Sequence, residues 1–438
     1  YGFCEASTPQ LPQLNWKALP GSCSEQEQDL QEGYWPALDF DWQWRPGANI
    51  WSYAPDSADR GHWPNIFFNN INYREGNPYG DIRVAWEPAR LQQLVALALI
   101  ATSPNMEVER QRQTITLLED ELLDWLAGNP PMRGIHYISA MECGLRIVSV
   151  CYALDIARNQ LQRKEQVWEG LLSLIKSHAN LIERRLSLFS SAGNHTVAEA
   201  VGLLYAGLVF PEFPASTRWR DLGIELLSAE AGRQILDDGG GVEQAFWYLV
   251  FIAELYGLAD RLLKHHGFEV PAVEQAFLRA KIFLTAFADC SERLPTIGDS
   301  DHGYALSKYL NIVWDQPNHP KADSSNTGRT TLSTFADMGY SLCDIKTKNI
   351  GLIFDHGSLG MPPSCGHGHA DALSIVLTMD DQPVLIDPGT YRYTGHAKWR
   401  RYFRGTAAHN TLQVNGLDQA QQRSEEHTSE LQSRFDLV

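Results

Sequence analysis

Between Trp86 and about Leu310 apolar residues recur at helical spacing, beginning with Leu91, Leu94, Val95 and Leu99. Similar stretches follow over about 107–127, 139–157, 163–187, 195–209, 217–235, 243–265 and 271–289. Short breaks separate them, such as Asn129-Pro130-Pro131 and Pro211-Glu212-Phe213-Pro214. Consecutive helices on short connections fold back as hairpins. This many hairpins in one domain predict a bundle, a solenoid or a closed α/α toroid. No repeat of fixed sequence is evident, which counts against a solenoid.

The flanks read differently. Residues 1–80 are rich in Trp, Pro, Asn and Asp, and predict loops and short helices packed by aromatics on the helical domain, 81–316. Residues 317–330 are polar with Pro and Gly and predict a linker. Beyond it, short apolar runs at 350–354, 373–377 and 383–386 predict strands, with Asp380-Asp381 as a hairpin turn. Residues 411–414, followed by Asn415-Gly416, predict another strand and turn. The expected class is α+β multidomain: an α/α toroid, then a truncated antiparallel β-sandwich over 331–422. The last stretch, 423–438 (RSEEHTSELQSRFDLV), resembles the translation of a common short-read sequencing adapter. It is expected to be an artefact, with the natural chain continuing past Gln422.

Composition limits the function classes. The chain has 438 residues, 44% hydrophobic, and a net charge of −17. That acidity argues against a nucleic-acid partner, which needs a basic footprint. No apolar run is long enough to span a bilayer. Seven scattered cysteines form neither a disulfide framework nor a paired zinc motif. The chain opens at Tyr1 without a basic-then-apolar leader, and is expected to be a fragment at this end.

Chemistry concentrates between Cys365 and His409. The runs Gly366-His367-Gly368-His369-Ala370-Asp371, Ile386-Asp387-Pro388-Gly389-Thr390-Tyr391 and Thr406-Ala407-Ala408-His409-Asn410 bring histidines and carboxylates from separate turns. Imidazole and carboxylate suit Zn²⁺, although the same residues also serve as turn caps. Together, HGHADALSIVL, VLIDPGTYRYTG and WRRYFRGTAAHNTLQVNG resemble the signature of the heparinase II/III family of polysaccharide lyases. Weaker echoes precede them. These are Gly80-Asp81-Ile82-Arg83 through Arg90, Asn129-Pro130-Pro131 with Met141-Glu142, Gly193-Asn194-His195, and Asp238-Gly239-Gly240-Gly241-Val242-Glu243-Gln244 with Tyr248.

The resemblance implies an N-terminal toroid, a C-terminal sandwich and β-elimination on a uronate polymer. It makes His369, Asp387 and His409 ligands of a largely structural zinc ion. It turns His367 toward the cleft, gives Asn194 the uronate carboxylate, and makes Tyr248 the catalytic tyrosine. His195 is a second acid or base. The chemistry supports these roles. Donors aimed at the carboxylate stabilise the enolate-like state reached when the C5 proton leaves. A base takes that proton and an acid protonates the leaving oxygen. Either Tyr248 does both, or His195 is the base and Tyr248 the acid. Leu249 stands where the family often has His.

Further expectations follow. Tyr402 is a candidate proton donor and Arg392 a candidate carboxylate fork. Trp86 and Arg90 are candidate sugar contacts. Glu199, one turn beyond His195, is a candidate to orient its ring. Gly298-Asp299-Ser300-Asp301 reads as an acidic turn without EF-hand spacing. A hydrolase alternative would pair carboxylates from among Asp81, Glu87 and Asp238, and a non-catalytic glycan-binding protein is a third reading. The substrate expected is an acidic polysaccharide. Net acidity favours alginate-like, glucuronan-like or exopolysaccharide chains over heparin, and the expected location is periplasmic or secreted.

Overall fold

The structure is a computed structural model and describes residues 1–17, 50–54, 61–74, 77–189, 192–288, 294–300, 303–314, 330–358, 366–380, 382–391 and 397–420. The expected linker lies almost wholly outside these residues, as do Arg392 and the adapter-like tail. After a short helix α1 (Gly2–Glu5) and α2 (Arg83–Ala89), four hairpins follow. They are α3 (Gln93–Ala101) with α4 (Val108–Gly128), α5 (Ala140–Ala157) with α6 (Lys164–Arg184), α7 (Asn194–Val209) with α8 (Ser216–Gln234), and α9 (Phe246–His265) with α10 (Pro271–Phe287).

Composition sorts the helices into two layers. Every residue of α5 except Ile156 is buried, and every residue of α7 except His195. Helices apolar on all sides belong inside. By contrast, α6 buries a stripe that includes Val167, Leu171, Leu174, Ile175, His178 and Ile182, and turns its other face to water. Accordingly α3, α5, α7 and α9 pack in succession as an inner layer, and α4, α6, α8 and α10 each cover their own partner from outside. Two glycines let α5 and α7 touch. A Cβ on Gly202 would lie 2.5 Å from the Gly144 Cα. Because each hairpin reverses and returns, the four inner helices run the same way. Their N-terminal ends therefore gather at one rim.

The C-terminal part is an antiparallel meander of five strands in sequence order: β1 (Thr330–Phe335), β2 (Tyr340–Ile345), β3 (Ile350–Asp355), β4 (Ile375–Met379) and β5 (Gln382–Leu385). Its register pairs Leu342 with Ile353 and Ile353 with Val376. These three, with Phe335, Met338 and Tyr340, join the helical core. Phe335 meets Phe283 at 4.8 Å, and Tyr340 meets Phe246 edge-on at 5.5 Å. The β1–β2 turn is tied down by the Asp238 carboxylate, which accepts from the Asp337 N–H at 2.8 Å and the Met338 N–H at 2.9 Å.

One expected strand is absent. Residues 411–414 form no ladder, and only Val414 bridges to Leu417. Asn415 and Gly416 do take the positive φ that such a turn requires, at 54° and 69°. Side chains tie this segment down instead: the Asn410 amide donates to the Ile375 and Ile386 carbonyls, and the Thr411 hydroxyl to that of Ala372.

Candidate active site and metal centre

The inner-helix rim faces the loop 366–371 that precedes β4. On the rim, α7 opens after Gly193, whose φ of 130° suits only glycine, and no side chain of its own caps it. Glu243, from the segment before α9, does that work instead. Its Oε1 accepts the Asn194 backbone N–H at 3.0 Å, and its two oxygens accept the Asn194 amide at 3.2 and 3.0 Å. This fixes the amide plane and leaves a second amide N–H to donate. Across the gap, His367 Nε2 lies 3.6 Å from Glu243 Oε2. The His367 ring stacks on the Tyr248 phenol ring, centroids 3.6 Å apart and planes at 26°. His195 is the half-buried residue on otherwise buried α7. Asn194, Tyr248 and His367 are thus brought together through Glu243, and His195 follows Asn194 on α7.

Behind His367 sits Asp299, fully buried. It accepts from His367 Nδ1 at 3.0 Å and from His369 Nε2 at 3.0 Å. The Arg400 guanidinium grips both its oxygens, Nη2 at 2.6 Å. Burial alone would raise its pKa, but the Arg400 fork and the two imidazoles hold the carboxyl well below its usual range.

His369, Asp387 and His409 place one ligand atom each within 4.8 Å of one another, all buried. His409 Nδ1 meets Asp387 Oδ2 at 2.8 Å. His369 Nδ1 and His409 Nε2 are buried without a hydrogen-bond partner. Two orphaned imidazole nitrogens beside a carboxylate are what a metal ion satisfies, so the three residues fit zinc.

Other expected contacts are engaged elsewhere. The Arg90 guanidinium donates to both Glu142 oxygens, at 2.9 and 2.8 Å, and so braces α5. Trp86 donates its Nε1–H to the Ile135 carbonyl at 2.9 Å and packs on the small core of Trp63, Ile71 and Ile82. Glu199 does not orient His195: its carboxyl accepts from the Ser187 N–H and hydroxyl, each at 2.7 Å. Tyr402 is half-exposed on α11 (Ala397–Arg404), among Trp399 and Phe403. Arg392 lies outside the described residues. No carboxylate pair spans the rim from the hydrolase candidates. Asp81 caps the start of α2, Glu87 pairs with Arg83 at 2.9 Å, and Asp238 holds the β1–β2 turn. Glu243, Asp299 and Arg400 carry the geometry without having been assigned a role from sequence.

The family models for the heparinase II/III N-terminus and the heparinase II/III-like C-terminal region match residues 69–312 and 327–435. The chain belongs to the heparinase II/III family. Among relatives, a heparin-sulfate lyase of Bacteroides stercoris is 24% identical over 269 residues, 57% of this chain and 40% of that protein. A heparin-sulfate lyase of Pedobacter heparinus is 24% identical over 299 residues, 61% of this chain and 43% of that protein. The chain thus spans less than half the length of these relatives. The crystal structure of heparinase III superposes with a TM-score of 0.63 at 16% identity, covering 95% of this chain and 66% of that one. This likeness is one of fold, and agrees with the toroid-then-sheet order of the heparinase II/III family.

Proposed function

We propose that the protein is a polysaccharide lyase that cleaves a uronate-containing chain by β-elimination. The observation that carries this reading is the linkage of Asn194, Glu243, His367 and Tyr248 through contacts of 3.0 to 3.6 Å at the starts of α7 and α9. The free Asn194 N–H, with the N-terminal end of α7 behind it, stabilises negative charge on the substrate carboxylate. The C5–H bond breaks and its proton passes to the Tyr248 phenolate or the His195 imidazole. The electron pair forms the C4–C5 double bond and the C4–O bond breaks. The departing oxygen takes its proton from Tyr248. The stack beside His367 holds the phenol ring in register with the carboxylate site.

Zinc on His369, Asp387 and His409 is proposed as a structural ion, which when bound cross-links the loop 366–371 to the segments bearing Asp387 and His409. The relatives' names make heparin-sulfate chains the first substrate to try, although a net charge of −17 disfavours highly sulphated polymers. A polymer of this kind is met outside the cytoplasm, and a periplasmic or secreted location is proposed with it.

The test is ultraviolet absorbance of unsaturated uronate ends, over a panel of heparin-sulfate, alginate and glucuronan. Tyr248→Phe keeps the stack and loses only the hydroxyl. A loss of roughly 10²- to 10⁴-fold in kcat is expected, as for other positioned acid–base groups. Absence of any product from folded, zinc-loaded protein on every polymer would leave the non-catalytic glycan-binding reading in its place.

A further inference from the structure

Asp299 is not a ligand of the triad and does not face the cleft, yet it touches both. It lies on the segment 294–300 beyond α10, on the helical side of the molecule. Gly298, at φ 70°, sets the turn, and a Cβ there would sit 2.5 Å from the Gln244 carbonyl oxygen. The Asp299 N–H donates to the His367 carbonyl at 2.9 Å. Its Oδ1 takes His369 Nε2, and its Oδ2 takes His367 Nδ1. Both histidines and Arg400 come from the C-terminal side. Arg400 is itself fixed by a bond from Nη1 to the Thr390 hydroxyl at 2.7 Å.

We propose that Asp299 is the positioning residue of the metal centre, aiming His369 Nδ1 at the ion while holding the cleft ring of His367 on the same carboxylate. An imidazole ligand rotates freely unless its second nitrogen is held, and the hydrogen bond there also fixes which nitrogen carries the proton. With Nε2–H donating to Asp299, Nδ1 presents its lone pair, and that nitrogen is the buried one without a partner. The carboxylate arrives from the helical domain and the ligands from the sheet side. Metal binding therefore grips the joint between the two. The proposal rests on the metal reading of the triad and is independent of lyase chemistry.

The experiment titrates metal-free protein with Zn²⁺ against a chromophoric chelator. Asp299→Asn is expected to bind one ion with affinity weakened roughly 10- to 100-fold, the usual effect of losing such a partner. Its Co²⁺ form is expected to show an altered visible ligand-field spectrum with unchanged far-ultraviolet circular dichroism. Glu199→Gln changes a buried carboxyl that meets no residue of the triad, and is expected to keep wild-type affinity. Wild-type affinity and an unaltered Co²⁺ spectrum in Asp299→Asn overturn the proposal, as does equal weakening in Glu199→Gln. Should Asp299→Asn fail to fold, Arg400→Gln leaves the carboxylate and removes its clamp. Severalfold weaker binding then supports the proposal and unchanged affinity overturns it. Wild-type protein that binds no zinc overturns it together with the metal reading. Zinc binding without cleavage of any polymer refutes only the lyase reading.

Discussion

Replacing Arg90 by Ala tests whether that residue serves the fold or the substrate. Glu142 is fully buried and Arg90 nearly so, joined by two charge-assisted bonds of 2.9 and 2.8 Å. Removing one partner of such a pair strands a buried charge and costs about 3–5 kcal/mol. Arg146 also lowers the Glu142 carboxyl, so the lower end, about 3 kcal/mol, is expected. Replacing both by apolar residues of similar volume is expected to recover most of that loss. The double-mutant cycle is then strongly non-additive, because the second substitution removes the charge that the first one strands. The pH dependence carries a sign. In the wild type, burial raises the Glu142 pKa, and the Arg90 charge outweighs it and leaves it below the ordinary 4.5. A depressed carboxyl contributes stability above its unfolded value, and loses it as pH falls through the folded one. Without Arg90 the shift reverses toward the burial-raised side, so the variant's deficit is largest near neutral pH and shrinks as the carboxyl protonates. Urea unfolding followed by far-ultraviolet circular dichroism, at about pH 7 and pH 5, measures both effects. Wild-type stability of Arg90→Ala, combined with weakened substrate binding, would refute the reasoning and return Arg90 to the cleft.

Two other perturbations probe the scaffold. Gly144→Ala drives a Cβ to 2.5 Å from the Ala198 carbonyl oxygen on α7. Overpacking there is expected to cost about 1–3 kcal/mol in urea unfolding, and a neutral result would show that the two helices part freely. Burial holds Glu121, Glu199 and Glu254 at about 8, against an ordinary 4.5. Raised carboxyls contribute stability that is fully present below 4.5 and lost as pH rises through 8. Urea stability is therefore expected to fall across that window from these groups. Glu254→Gln should flatten the slope by up to about 1.4 kcal/mol per pH unit, and an unchanged slope would contradict the burial account.

The helices were legible because their apolar residues recur at helical spacing, and the spans of α5, α6 and α7 agree with that periodicity to within a few residues. Which helices lie inside was not read from the sequence, because α5 and α7 carry charged residues such as Glu142 and Glu199 that only the fold shows to be buried. Asn194, Tyr248 and His367 came from motif resemblance, and no spacing in the chain foretold that one ring would stack on another. The misreadings share a cause. Arg90, Glu199 and Asp238 each find a partner that local sequence does not point to. A charged residue awaiting a substrate and one bracing a helix look alike until the chain is folded. Asp299 read as a plain acidic turn because its two histidines lie some seventy residues on.

The hairpin order also gives the helical layers a second end. The connections 102–107, 158–163, 210–215 and 266–270 all lie opposite the rim that carries Asn194 and Tyr248. At the last of them, residues 264–267 are exposed, and a Cβ on Gly267 would meet nothing within 4 Å. A fluorophore, affinity handle or resin linkage placed there stands clear of the Asn194–Tyr248 rim. If the proposed lyase acts on long chains, that choice of attachment point would keep the rim accessible in an immobilised preparation.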